Sequence, residues 1–235
     1  MTPVTASSAR SAMARRAGIL YLIYIVLNIV ASLVGHIGLS DATTLQATIA
    51  DDEAMFRLGL VAAMGSGLLF VLTAWALYAL LRSVDGALAL LFLVLNAVGV
   101  AVQCASYLPL LTAMGLGDSP TGTAGLDGLA ALAVTSYQTA FVVAQLFFSA
   151  WLFPLGWLVL RSGFLPRFLG WLLLLDGVGV LVWFLQVFLA PDYPGISYPS
   201  WAIGFVAELG LALWLVVKGA GPHETPTASL PSAAF

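Results

Sequence analysis

The segment "LLLLDGVGV", residues 172–180, sets an aspartate behind four leucines and ahead of another apolar run. A helix on the surface of a soluble domain turns a polar face to water. This stretch offers only Asp176 for such a face. The reading therefore turns on the surrounding solvent. Of 235 residues, 61% are hydrophobic and 8% charged, against roughly 25% charged in soluble domains. Too little charge is left to cover a water-facing surface, so the solvent is a bilayer. The expected fold class is an all-α polytopic membrane helix bundle.

Crossing about 30 Å of hydrocarbon takes roughly 20 apolar residues. Six runs qualify: about 17–38, 57–81, 87–112, 133–160, 167–190 and 199–217. Their continuous hydrophobicity marks helices, because barrel strands alternate and are about half as long. The first run follows the basic "MARRAG" but is longer than the roughly 7–15 residues of a signal-peptide core. It is read as a retained span. Residues 1–16 precede the bundle as a cytoplasmic segment, residues 17–218 form the membrane domain, and the Pro/Thr/Ala/Ser-rich 219–235 is expected to be a disordered cytoplasmic tail. The 39–56 connection is expected to carry a short amphipathic helix.

Charge placement sets the orientation. Arg10, Arg15, Arg16, Arg82, Arg161, Arg167 and Lys218 fall on one side. The other side holds Asp41, Asp51, Asp52, Glu53, Asp118, Asp127 and Asp192, with Arg57 as their basic neighbour. By the positive-inside rule both termini face the cytoplasm. "PDYPGISYPSW" places Tyr193, Tyr198 and Trp201 as an aromatic belt on the opposite side. Pro166 suits the first turn of the fifth span, and Pro154 is positioned to kink the fourth. "GSG" at 65–67 suits close helix approach.

Polar residues at mid-depth carry the functional reading. Asp176 lies near the centre of the fifth span and Glu208 near that of the sixth. A charged side chain there costs roughly 2.5–3.5 kcal/mol on insertion scales, so neither suits lipid. Such acids mark pathways, proton relays or ligand sites. If the fifth and sixth spans are neighbours, the two acids fall within reach of each other and can share a proton. Asn28, Asn96, Gln103 and Gln145 complete the candidate ligand or proton site, although amides equally serve as hydrogen-bonded glue between helices. Helical spacing gathers Tyr21, Tyr24, Asn28 and Gly35 on one stripe, Asn96, Gly99, Gln103 and Ser106 on another, Asp176, Gly179, Trp183 and Gln186 on a third, and Gly204 with Glu208 on a fourth. All four stripes should point inward.

Other chemistry is not signalled. Cys104 is the single cysteine, so no intrachain disulfide forms. His36 beside Asp41 does not make a metal site. No metal and no cofactor is expected, and no catalytic motif favours an enzyme. No basic, aromatic surface suggests nucleic acid. "VLNAVGV" at 94–100 resembles "LLDGVGV" at 174–180, and "VLNIV" at 26–30 shares its start, consistent with a repeat of two-helix units.

Five stretches, "RRAGILYLIYIV", "EAMFRLGLVA", "ALYALLRSVDGALALL", "PLGWLVLRSGFLPRFLGWLLLLDGVG" and "AELGLALWLVVKG", resemble the bacterial multi-pass membrane proteins grouped as domain-of-unknown-function family 4386. The resemblance implies a six-span integral membrane protein of unassigned activity. It places Arg57, Arg161, Pro166 and Glu208 on positions that the family pattern uses. Where that pattern often sets an acid after "RLG", this chain has Ala62 and Ala63. Asp176 is also a departure, which leaves Glu208 as the residue implied for a shared role. From the residues themselves, the polar mid-depth stripes, the paired acids and Pro154 fit a small-solute transporter or ligand-binding protein of a bacterial plasma membrane. The absence of a catalytic motif fits a non-catalytic structural or regulatory partner of another membrane protein. An intramembrane enzyme built on the two carboxylates is the third reading, with no flanking motif to support it. The partners are membrane lipid with a small molecule or a membrane protein.

Overall fold

The computed structural model describes residues 3–38, 42–117 and 124–221. These form α1 (Pro3–Gly35), α2 (Ala42–Asp51), α3 (Glu53–Leu81), α4 (Gly86–Ser106), α5 (Leu108–Gly117), α6 (Ala124–Ser162), α7 (Arg167–Leu189) and α8 (Tyr198–Val217), with a 3₁₀ turn at Pro194–Ser197 before α8. No strand occurs among the described residues. Among the described residues, six segments are long and apolar enough to cross a membrane: Arg10–Gly35, Glu53–Leu81, Gly86–Gly115, Gly128–Ser162, Arg167–Leu189 and Pro194–Val217. The protein is a membrane helix bundle. The expected tail disorder falls on residues outside those described, apart from 219–221.

Short turns dictate the topology. Asp85 ends the turn after α3 and caps α4, its carboxylate accepting from the backbone N–H of Ala87 and Leu88 at 3.0 Å each. Such a cap satisfies two of the donors that a helix start leaves open. Between α6 and α7, Gly163 adopts φ +66°, a left-handed conformation that costs glycine little. Ser162 Oγ there accepts from Leu165 N–H at 3.2 Å. Connections this short force antiparallel neighbours. α1 packs on α3 and α8, α4 on α3 and α6, and α7 on α6 and α8, so the spans close into a ring ordered α1–α3–α4–α6–α7–α8.

Two cores fill the ring. One runs from Ala14 and Ala17 through Tyr21, Phe70, Phe92, Trp151 and Leu211 to Leu215 and Ala220. The other gathers Ala31, Leu45, Phe56, Leu60, Tyr107, Leu110 and Tyr137 at the far end. Within the first, Phe70 stacks on Tyr24 with ring centroids 4.2 Å apart and meets Trp151 edge-on at 5.1 Å. The basic end is fastened by Gly221 N–H donating to the Phe164 carbonyl at 3.1 Å and by Arg10 over the Phe164 ring. At the acidic end, Gly38 N–H donates to the Tyr137 hydroxyl at 2.7 Å, tying the end of α1 to α6. Tyr193, Tyr198 and Trp201 are exposed there, as a belt requires.

The elements depart from expectation in four places. The third span is two helices meeting at Tyr107, because Pro109 lacks the N–H that would continue the ladder. The fourth span starts earlier, at Gly128, within a helix that begins at Ala124 and runs unbroken through Pro154 to Ser162. Pro166 stands as the N-cap of α7 in extended conformation (φ −69°, ψ 134°), one residue before the first turn. A backbone-to-backbone approach that the sequence did not single out lies between Gly35 and Gly59. A Cβ added at Gly35 would lie 2.7 Å from the Gly59 Cα, so α1 and α3 touch backbone to backbone. Gly67 does face α4, toward Val100 and Cys104. The helix expected within 39–56 is α2.

Candidate functional site

Glu208 is delivered by α8. It lies nine residues before Val217, where the span ends, which at 1.5 Å per residue is roughly 14 Å of depth. That is close to the middle of a hydrocarbon layer about 30 Å thick. One turn earlier on the same helix is Gly204, and there the second acid arrives. Asp176 of α7 is 1% exposed, and its Oδ1 would lie 2.8 Å from a Cβ built on Gly204. The missing side chain at Gly204 is what lets α7 set a carboxylate against α8. The two acids thus sit on facing helices about one turn apart and within electrostatic reach of each other.

Three further side chains come from α1, at the helical spacing that puts positions three and four apart on one stripe. Tyr21 is fully buried, and its hydroxyl lies in the neighbourhood of Glu208 with no hydrogen-bond partner. Tyr24 and Asn28 line a cavity of about 150 Å³, together with Ile25, Ile29, Phe205, Glu208 and Leu209. This cavity lies in the seam between α1 and α8. Its rim residues Ile29 and Phe205 are exposed on the outer face of the bundle, which in a membrane is the lipid face.

Unpartnered polar atoms lie on both this side of the ring and the wall opposite. Among the described residues, the buried side-chain atoms without a hydrogen-bond partner are Tyr21 Oη, Asp176 Oδ1 and both amide atoms of Asn96. An unpaired buried polar group costs about 1–3 kcal/mol, so this cost gathers on the walls of the ring interior. Among the described residues, no cation pairs with the two acids. The described ion pair is Arg57 with Glu53, one turn apart near the acidic end of α3. Tyr24, braced on one side by Phe70, adds an aromatic ring to the carboxylate and the amide. Such a set can hold a positive charge at the carboxylate and the ring, and the Asn28 amide can donate or accept a hydrogen bond beside it; no cationic side chain lines the cavity to hold an anion.

The remaining sequence candidates are distributed differently. Asn96 is fully buried on α4, across the ring from α8. Gln103 is buried on the same face of α4, beside the Tyr107 hydroxyl. Gln145 of α6 donates Nε2 to the Phe141 carbonyl of its own helix at 3.2 Å. Of the six, Asp176, Glu208 and Asn28 come together, while Asn96, Gln103 and Gln145 line other walls. Gln186 likewise turns to its own helix end, donating to the Ala190 carbonyl. The spacing of Tyr21 and Tyr24 on the Asn28 stripe was the signal that found them a shared face, but it did not reveal which helix they meet. Ser149 was missed altogether. Its hydroxyl donates to the Gly177 carbonyl at 2.8 Å and locks α6 to α7 beside Asp176. His36 accepts or donates at Nδ1 with Thr48 Oγ1, 3.0 Å away. No cluster of three or more metal-ligating residues occurs among the described residues.

Comparison with known proteins matches residues 16–219 to the family described as "Domain of unknown function (DUF4386)". An uncharacterized protein of Archaeoglobus fulgidus is 29% identical over 91 residues, which cover 37% of this chain and 50% of that protein. The chain therefore spans about half the length of this curated relative. No solved structure matches.

Proposed function

We propose that this chain, which belongs to the DUF4386 family, binds a small solute at mid-membrane carboxylates and serves as its transporter or receptor. The observation that carries this reading is the cavity of about 150 Å³ that reaches Glu208 between Tyr24 and Asn28. A purely structural acid would be packed and partnered. Here Glu208 opens on free space, and Asp176 stands behind it with an unpaired oxygen. Intramembrane acids in such settings mark ligand or ion pathways. Asn28 supplies orientation, Tyr24 an aromatic wall, and Tyr21 a hydroxyl against the Glu208 carboxyl. The site sits in a bacterial plasma membrane with both termini cytoplasmic. The seven basic residues gathered at one end of the bundle support that orientation.

The test is a thermal-shift screen of the purified protein against a metabolite library, repeated on Glu208→Gln and Asp176→Asn. A ligand that binds the folded state raises stability by about 2.7 kcal/mol at a hundredfold excess over its dissociation constant. A stabilising compound whose effect vanishes in Glu208→Gln is the expected result. Compounds that stabilise parent and variants alike would place binding elsewhere and overturn this reading.

A further inference from the structure

The cavity at Glu208 also constrains what enters it, and by which route. Drug-sized pockets measure about 300–1,000 Å³, so a cavity of about 150 Å³ takes a headgroup and not a whole molecule. Its rim is apolar and open on the outer face of the bundle, with Ile29 and Phe205 exposed and Val26 and Val206 exposed beside them. The rest of an occupant would lie in the hydrocarbon. The inner wall supplies one carboxylate from Glu208, one amide from Asn28 and the Tyr24 ring. Carboxylate and ring both favour a cation. No Lys, Arg or His lines the cavity, and the described basic side chains sit at the bundle ends.

Resting on the ligand-binding reading above, we infer that the occupant is a lipophilic amine whose ammonium head docks at Glu208 through the α1–α8 seam while its tail stays in the bilayer. When the two acids share one proton they carry a single negative charge, and the ammonium head cancels it, so the occupied site is neutral at mid-depth. Asp176, set behind Glu208 across Gly204, deepens the negative potential without lining the cavity. A phospholipid amine fits poorly, because its phosphate would come near the Glu208 carboxylate with no cationic side chain on the cavity wall to answer it.

The experiment uses the full chain in phosphatidylcholine nanodiscs and follows its thermal stability with decylamine, decanol and ethylamine. Decylamine shares its tail with decanol and its head with ethylamine. The expected result is stabilisation by decylamine and by neither control. Glu208→Gln should weaken decylamine binding about tenfold or more, the scale of one charge-assisted hydrogen bond. Ile29→Trp, which leaves Glu208 in place and fills the rim, should weaken it as well. If Glu208→Gln does not fold, Glu208→Asp, which keeps the charge but withdraws it by one methylene, and Ile29→Trp at the rim carry the test, and both should weaken decylamine binding. Ethylamine acting as well as decylamine, with Ile29→Trp silent, would overturn access from the lipid while leaving an amine site. Glu208-dependent binding of a water-soluble, non-amine compound, with decylamine inert, would overturn the ligand class and leave the ligand-binding reading standing. Decylamine stabilising the Glu208→Gln variant as strongly as the parent would show a membrane effect and overturn the inference.

Discussion

α1 has two neighbours and treats them in opposite ways. Against α3 it closes: Ala31 is buried, and Gly35 meets Gly59 with no side chain between the helices. Against α8 it closes only near the basic end, where a Cβ on Gly18 would meet the Ala212 carbonyl and the Leu215 side chain at 2.8 Å. Above that point α1 carries Tyr24 and Asn28 and α8 carries Phe205 and Glu208, and the seam parts into a cavity. Lipid tails are as apolar as leucine, so helices in a membrane associate through close packing of small residues and not by escape from water. Where small residues face each other the helices zip. Where large or polar residues face each other they part, and the space goes to whatever the polar groups attract.

The contrast can be broken first on its closed side. Gly59→Ala pushes a methyl group into the Gly35 backbone and should destabilise the protein by about 3 kcal/mol, since neither backbone can give way as a side chain would. Unfolding by denaturant in a fixed detergent measures it. A loss of only a few tenths would mean that α1 and α3 are not in backbone contact. Gly204→Ala tests the seam where α7 meets α8. The new methyl displaces the Asp176 carboxylate at a smaller cost of about 1 kcal/mol, because a side chain moves and no helix need shift. It should alter Glu208-dependent ligand binding, while the same change at Gly210, which has room for a methyl with only Leu169 within van der Waals contact, should not. Arg57→Ala is the smallest effect. The pair with Glu53 is solvent-exposed on α3, so its loss should cost under about 0.5 kcal/mol, even though it lies two residues from Gly59. A larger cost would credit the α1–α3 contact to charge and not to glycine.

The spans were legible because continuous hydrophobicity at that length has one reading in a charge-poor chain. The depth of each polar residue followed from its position along a span, which is why Asp176 and Glu208 stood out. Rotation between helices was not legible. Depth says that Asn28 and Gln145 both lie within their spans, but not that Asn28 meets α8 while Gln145 turns to the carbonyl of Phe141. The same limit hid Gly35 and Gly59. The chain has 23 glycines, and only the packed bundle distinguishes those two from Gly38, Gly86 or Gly115, around which a Cβ would meet nothing. The break at Tyr107 was readable in principle from Pro109, but the apolar run continues across it and masks the joint.

The most direct test sets Asn28→Phe beside Ala31→Phe, two ring insertions less than one turn apart on α1. Their unfolding free energies are compared in the same detergent. An open α1–α8 seam predicts that the ring at position 28 fills the cavity and changes stability by under about 1 kcal/mol, while the ring at position 31, wedged against α3, costs about 3 kcal/mol or more. Equal and large losses at both positions would contradict it, because α1 would then be packed as tightly on α8 as on α3 and Glu208 would face no cavity.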